Sequence, residues 1–400
     1  MRSAPPTPSA GPGAPRRRRR PSARSRAAAS TTRSRRRDDP RRCRPRFCRR
    51  ASGAPLCSSG YPALTPRILG HEGAGIVESV GPRVTTVAPG DRVGFCFVPP
   101  CGHCRACSAG RFHLCETAAM RSYEGMLLDG TSRLHLADGR EVKHFNFVSC
   151  FAERCVVPAA SAVKLPDGLP LWEAALLGCG VVTGVGAVRN TARVAIGESV
   201  CVIGCGGIGL HVVAAARLAG AGLIIAVDLD ATKLELALHR GATHAVNASH
   251  EDAVAAVLAL SGGVDHAFEA VGLPATIRQA WDVLRPGATA IVVGLTPRGL
   301  DVALPALELL SEKSLKGCYY GSANVPVELA RLADLVVAGR LHVSDVVSHL
   351  TDLDGIEEAF GRLRRGEGVR TIAVMDPESA EAPASLHESV AQQEGELGVA

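Results

Sequence analysis

Four cysteines within fifteen residues, Cys101-Gly-His-Cys104-Arg-Ala-Cys107 and then Cys115, form the densest group of potential ligands in the chain. Thiolates two residues apart converge on one ion from a tight loop, and a fourth from the loop's end closes a tetrahedron with no open position. Such a site holds structure and does no chemistry. The ion expected is zinc, although an iron–sulfur cluster takes the same four ligands and free or disulfide-bonded cysteines are the plainer alternative. His103 and His113, beside the ligands, read as solvated loop residues.

A second pattern, Gly204-Cys-Gly206-Gly207-Ile208-Gly209, follows the apolar run Ser199–Ile203 and opens an Ala/Leu-rich segment. Glycines there permit a tight turn and bring backbone N–H groups close to a pyrophosphate at a helix N-terminus, where the helix dipole favours negative charge. Nineteen residues after Gly209 comes Asp228, a carboxylate able to accept hydrogen bonds from both ribose hydroxyls. Asp228 and Asp230 would repel a 2′-phosphate, so NAD is expected over NADP. A third pattern is spread out, as Gly70-His71-Glu72-Gly73-Ala74-Gly75 and Leu177-Gly-Cys179-Gly-Val-Val-Thr183-Gly. One imidazole and one thiolate delivered to a domain boundary are two ligands for a zinc with an open position. Taken alone, each residue reads as an ordinary packed side chain; the company of the other two patterns changes that weighing.

These residues need a frame. Up to about residue 180, short Gly-punctuated apolar segments such as 75–80 and 90–95 read as strands joined by turns. From about Val181, apolar strand-like runs (199–204, 223–228, 244–248, 264–271, 288–295 and 314–320) alternate with helical stretches such as 208–219, 231–240 and 252–260. That alternation predicts a parallel sheet covered on both faces. A mixed segment, 324–375, follows, and after Asp376 the tail turns acidic and Ala/Ser-rich, an expected unstructured end.

Charge divides the chain unevenly. The net +6 sums residues 1–50, with 18 Arg against two acids, and the other 350, with 27 bases against 37 acids. An argument for nucleic acid can therefore rest only on the Arg/Pro/Ser/Ala-rich leader, residues 1–58, whose composition builds no core and is expected to be disordered. Base stacking needs aromatics, and residues 1–50 contain only Phe47, so nucleic acid is not the expected partner. No apolar run approaches the length of a membrane span, and no apolar stretch follows the N-terminal charges, so the expected location is the cytoplasm.

Over about residues 61–376 the sequence resembles the zinc-containing medium-chain alcohol dehydrogenases, in the longer-loop branch near the formaldehyde dehydrogenases. The match rests on GHEGAG at 70–75, the four-cysteine loop, GCGVVTG at 178–184, GCGGIG at 204–209 and Val369-Arg370-Thr371, in that order. The resemblance implies an α/β fold, with a doubly wound Rossmann domain (181–321) for NAD and a mostly β, GroES-like catalytic domain (59–180 and 322–376). It implies that His71 and Cys179 ligate a catalytic zinc with Glu72 behind them, and that Cys101, Cys104, Cys107 and Cys115 hold a structural zinc. Thr183 matches the position packed on the nicotinamide, Asp228 and Lys233 match ribose contacts, and Arg370 matches the cation at the pyrophosphate. Gly204, Gly206, Gly207, Ile208, Gly209, Val271 and Gly294 complete the expected cofactor contacts. The implied reaction is reversible hydride transfer between a small alcohol and NAD, giving an aldehyde or ketone, in a homodimer.

The chain departs from the family where that chemistry needs its third ligand. Members place a Cys about 21 residues before the His of GHE, with Ser or Thr two residues later, and here that position is Arg50; Cys48 and Cys57 fit neither spacing nor context. Two explanations compete. In the favoured one the first 58 residues are an out-of-frame read of a GC-rich gene, which five Lys against 40 Arg would fit. In the other the chain is an impaired NAD-binding protein without a complete catalytic zinc site, whose basic arm meets an acidic partner. The Arg that holds the glutathione carboxylate in the formaldehyde branch is replaced by Ala119, with Arg121 displaced, so glutathione dependence is not expected.

Overall fold

The computed structural model describes residues 64–375. The leader, the acidic tail, Cys48 and Cys57 lie outside the described residues, as does the region where a third zinc ligand was sought.

The first described part, expected to be mostly β, carries five short strands set among longer loops and short helices. Strands β1 (Ala74–Ile76), β2 (Arg92–Phe95) and β5 (Ala162–Lys164) make an antiparallel sheet in the order β1-β2-β5, and β3 (Leu134–His135) pairs with β4 (Glu141–Val142). The strand expected over 75–80 stops at Ile76, beyond which Glu78, Ser79 and Val80 are exposed. Between β2 and β3 the chain bulges into the four-cysteine loop and helix α1 (Glu116–Glu124), which ends at Gly125 in the left-handed conformation.

Next comes helix α2, a run of α and π turns over Leu171–Ala192. Against the expectation that no apolar run approaches that length, it is the one helix among the described residues long and apolar enough to cross a membrane, and two thirds of its apolar window is buried inside the fold. Core placement explains its composition: a helix buried on every side is apolar all round. The domain junction expected near residue 181 falls within this helix.

The expected parallel sheet is present, with order β11-β10-β9-β6-β7-β8. Its strands are β6 (Ser199–Ile203), β7 (Leu223–Asp228), β8 (His244–Asn247), β9 (Val264–Glu269), β10 (Leu284–Val292) and β11 (Ser314–Gly317), all paired in parallel. Helices α3 (Gly209–Leu218), α4 (Ala231–His239), α5 (Ala253–Ser261) and α6 (Pro274–Asp282) connect them. Asp230 and Asp252 cap α4 and α5, accepting from the Thr232 and Ala255 N–H groups. Strand β10 begins four residues before the expected start because Leu284 already pairs with Val264, and it ends at Val292, after which Val293 and Gly294 turn back to the Glu269 carbonyl. Helix α7 (Val325–Val337), β12 (Val347–Thr351), α8 (Ile356–Arg365) and β13 (Arg370–Ala373) resolve the mixed final segment, with β12 and β13 parallel. Strand order reverses between β6 and β9, and a crevice at such a reversal is where open α/β sheets take ligands.

Candidate active site

The four-cysteine site assembles almost entirely by local geometry. Gly102 takes a positive φ, and Cys104 caps a single helical turn, Arg105–Ser108, accepting from the Cys107 N–H. Sulfur–sulfur separations are 4.0 Å for Cys101–Cys107 and for Cys104–Cys115, close to the ~3.8 Å edge of a tetrahedron with zinc–sulfur bonds of about 2.3 Å. Backbone N–H groups of Cys101 and Ala118 aim at the Cys115 sulfur, and that of Cys104 at the Cys101 sulfur. These donors favour thiolates; the Cys107 N–H is the main reason Cys104 titrates below an ordinary thiol. Burial pushes Cys107 the other way, up to about 12. A bound cation reconciles four sulfurs in one shell, so this donor set fits zinc.

His113 overturns the expectation of a solvated loop residue. It is 8% exposed, and burial lowers its pKa.

The second constellation is tertiary. His71, Glu72 and Cys179 bring one donor atom each to within 4.8 Å of one another. His71 and Glu72 lie just before β1, whereas Cys179 lies in the π turn Leu177–Val181 of α2. The wide turn and its glycines bring that helix close: a Cβ on Gly178 would stand 2.8 Å from the Phe95 carbonyl oxygen of β2. Glu72 is fixed twice, accepting from the Gly180 N–H (3.0 Å) and from Arg370 Nη1 (3.3 Å). Burial lowers the His71 pKa and raises the Cys179 thiol well above its ordinary value. A neutral imidazole is ready to ligate, whereas the thiol gives up its proton as a cation binds. The donor set therefore fits zinc, with one nitrogen and one sulfur ligand and a carboxylate behind them. Thr183, one turn after Cys179, is buried and hydrogen-bonds to its sulfur.

The glycine-rich loop stands beside it. Gly204 has φ +94°, a Cβ on Gly209 would collide with the Gly204 carbonyl, and a Cβ on Gly206 would meet nothing. That free space lies over the loop that leads into α3, a cradle that fits a pyrophosphate. Ile208 is the N-cap of α3. Asp228, at the end of β7, accepts from the Cys205 N–H (2.6 Å) and from the Leu229 and Asp230 N–H groups, which orient its carboxylate at the loop. Lys233 reaches the Gly366 carbonyl at 3.4 Å, and Val271 and Gly294 sit at the ends of β9 and β10. Arg370 joins both halves: it pairs with Glu72, and its guanidinium lies where a Cβ of Gly207 would be.

Two profiles match the chain: "Alcohol dehydrogenase GroES-like domain" over residues 53–167 and "Zinc-binding dehydrogenase" over 207–337. It is 35% identical to the S-(hydroxymethyl)glutathione dehydrogenase of Paracoccus denitrificans over 78% of its own length and 85% of the relative's. The chain belongs to the zinc-binding medium-chain alcohol dehydrogenase family. The NDMA-dependent alcohol dehydrogenase of Amycolatopsis methanolica is 39% identical over 77% of this chain and 84% of that relative. Among solved structures, the zinc-binding domain alcohol dehydrogenase of Burkholderia ambifaria aligns with TM-score 0.75 at 36% identity, covering 79% and 85% of the two chains. The benzyl alcohol dehydrogenase of Acinetobacter calcoaceticus aligns with TM-score 0.72 at 32% identity, covering 78% and 85%. For a zinc alcohol dehydrogenase, the GroES-like and Rossmann parts and the four-cysteine cluster are all in place.

Sequence reasoning missed residues around His71 that come from distant segments. The Phe97 ring stands edge-on to the imidazole at 5.0 Å and Phe145 at 5.6 Å. Tyr320 stacks on Phe97 and donates its hydroxyl hydrogen to the Gly178 carbonyl at 2.5 Å. Cys150 donates to the Glu72 carbonyl. No spacing rule links residues 97, 145, 150 and 320, so no sequence signal marks them.

Proposed function

We propose that the chain is an NAD-dependent zinc alcohol dehydrogenase, passing hydride reversibly between a small alcohol and NAD. The observation that carries this reading is Arg370, one side chain in contact with both the Glu72 carboxylate and Gly207 of the nucleotide loop. It ties a donor set suited to a catalytic zinc to a cradle suited to a pyrophosphate.

When bound, zinc supplies Lewis acidity toward the alcohol oxygen and NAD supplies the hydride acceptor. His71 and Cys179 are the ligands this chain offers to that zinc, and Glu72 holds negative charge behind them. The buried Thr183 packs the cleft beside Cys179, and Phe97 and Phe145 keep water from the imidazole's faces. Asp228 orients the adenosine ribose, with Lys233 beside it; Gly204, Gly206, Gly207, Ile208 and Gly209 present the loop, and Val271 and Gly294 wall the nicotinamide side. We assign residues 59–180 and 322–376 to the catalytic domain and 181–321 to the NAD domain. A homodimer fits the free edge of β11 and the exposure of Leu307 and Leu310, 79% and 81%, beside it.

The test is zinc content together with NADH formation from primary and secondary alcohols. Two zincs per chain with alcohol-dependent reduction of NAD is the expected result. The second reading, an impaired NAD-binding protein, is favoured by one observation: among the described residues the cleft offers only His71, Cys179 and Glu72 as a ligand group. It predicts one zinc and NAD binding without turnover.

A further inference from the structure

A cavity of about 420 Å³ lies between helix α1 and the turn after β10, with Phe97 in its wall. Its inner end is Phe97, whose ring touches His71; Val98, Ala118 and Phe147 make apolar walls, and Tyr123 and Arg298 stand at its rim. Its lining includes neither His71 nor Cys179; Phe97 is the wall it shares with the proposed reaction centre, and on the dehydrogenase reading a substrate body that passes that ring from His71 enters this cavity.

Two polar groups lining this cavity keep hydrogen-bonding capacity unused among the described residues. The Arg298 guanidinium lies over the Tyr123 ring, 5.9 Å from its centroid, and no carboxylate among the described residues pairs with it. By contrast Arg121, the cation displaced from the glutathione position, is already paired with Glu124 at 2.7 Å. Arg298 is the only Arg or Lys in the cavity's lining among the described residues. The second is His113, buried in the wall, which hydrogen-bonds the Ala323 backbone and whose Nδ1 has no hydrogen-bond partner among the described residues. The Tyr123 face steadies the guanidinium while leaving its N–H edge available, the arrangement that suits a carboxylate.

We infer that Arg298 selects substrates, and that this cavity takes alcohols and aldehydes carrying a carboxylate on an aromatic or similarly bulky apolar body. The inference rests on the dehydrogenase reading for its hydroxyl end, whereas charge selection at Arg298 can be measured without turnover. Arg298 is a specificity residue and takes no part in hydride transfer. An exposed, aromatic-backed ion pair is worth about a threefold to fivefold preference and weakens with added salt.

The experiment uses the full chain with 4-(hydroxymethyl)benzoate and benzyl alcohol, compared in wild type, Arg298→Gln and Arg298→Glu. Binding is followed by ligand-observed NMR titration, and turnover by NADH formation. The expected result is a roughly threefold to fivefold preference for the carboxylate in binding and in kcat/KM, lost in Arg298→Gln and reversed in Arg298→Glu, with benzyl alcohol unaffected. Equal binding of the two alcohols in wild type, a preference that survives Arg298→Glu, or binding of neither overturns the inference. Loss of both substrates together in the variants also overturns it, showing Arg298 to be only a tie between the β10 turn and α1. Failure of the dehydrogenase reading looks different: the binding preference is present and no NADH forms from either alcohol.

Discussion

The four-cysteine loop and the His71–Cys179 centre are both gatherings of soft and borderline ligands, built in opposite ways. The first draws all its donors from fifteen residues and steers them with its own backbone N–H groups. The second draws them from two segments 108 positions apart, and their meeting depends on a π turn in α2, on Gly178 against β2 and on Arg370 from near the end of the described chain. A local site pays its ordering cost once, in one loop. A tertiary site inherits the stability of every interface that brings its parts together.

The sharpest way to break this contrast is to remove one sulfur from each site. Cys104→Ser is expected to remove one zinc per chain and lower the melting temperature by roughly 10 °C or more, since a structural zinc contributes directly to folding. Cys179→Ser is expected to abolish NADH formation while shifting melting by only a few degrees. Equal thermal losses in the two variants, read by calorimetry and metal analysis, would erase the distinction.

A smaller effect tests the claim that the cleft depends on remote packing. Arg240, almost fully buried, pairs with Asp345, donates to the Leu210 carbonyl and meets His211 Nδ1, so it ties α3 of the nucleotide-binding part to the segment before β12. Arg240→Met strands the Asp345 charge and is expected to cost the elements it joins about 3 kcal/mol of local stability. Alcohol turnover should fall at temperatures where the four-cysteine zinc, measured by metal analysis, is still retained. Loss of that zinc in step with activity would contradict the independence of the two sites.

Acid offers a comparable probe on the four-cysteine side. His144, buried beside α1, has its pKa lowered to about 4, chiefly by burial. Its folded value lies below its unfolded one, so the unfolded chain takes up a proton first as pH falls. Stability is therefore intact above about pH 6.5 and declines toward pH 4, by up to roughly 2–3 kcal/mol from this residue. His144→Gln should flatten that part of the decline in urea titrations at pH 7, 6 and 5; an unchanged slope would show the histidine is not responsible. The mildest change is Asp228→Asn, expected to weaken NAD binding about tenfold, by calorimetry, with both zinc sites intact.

Legibility followed the same division. The thiolate loop, the glycine loop and the β-α alternation were readable because their determinants are near neighbours: two-residue ligand spacing, a strand feeding a helix, an aspartate just before α4. His71, Glu72 and Cys179 became readable only through the order of motifs along the chain, since nothing local says that residues 71 and 179 meet. His113 was misread because a histidine in a ligand loop looks exposed until the cavity wall is built around it. Arg298 and Tyr123 carried no pattern at all, being separated by 175 positions and joined only by packing.

The sequence alone determined the fold class, the four-cysteine cluster, and the glycine loop between a strand and a helix, because each is encoded by short-range spacing and by the period of its apolar residues. Only the tertiary structure decided which side chains close the second donor set, that Arg370 links Glu72 to Gly207, and that a cavity sharing Phe97 with the His71 centre carries Arg298, a cation with no ion-pair partner among the described residues. Those facts depend on the approach of whole elements, fixed by the fit of glycine-bearing surfaces and by burial across the junction, and such fits leave no periodic trace in the chain.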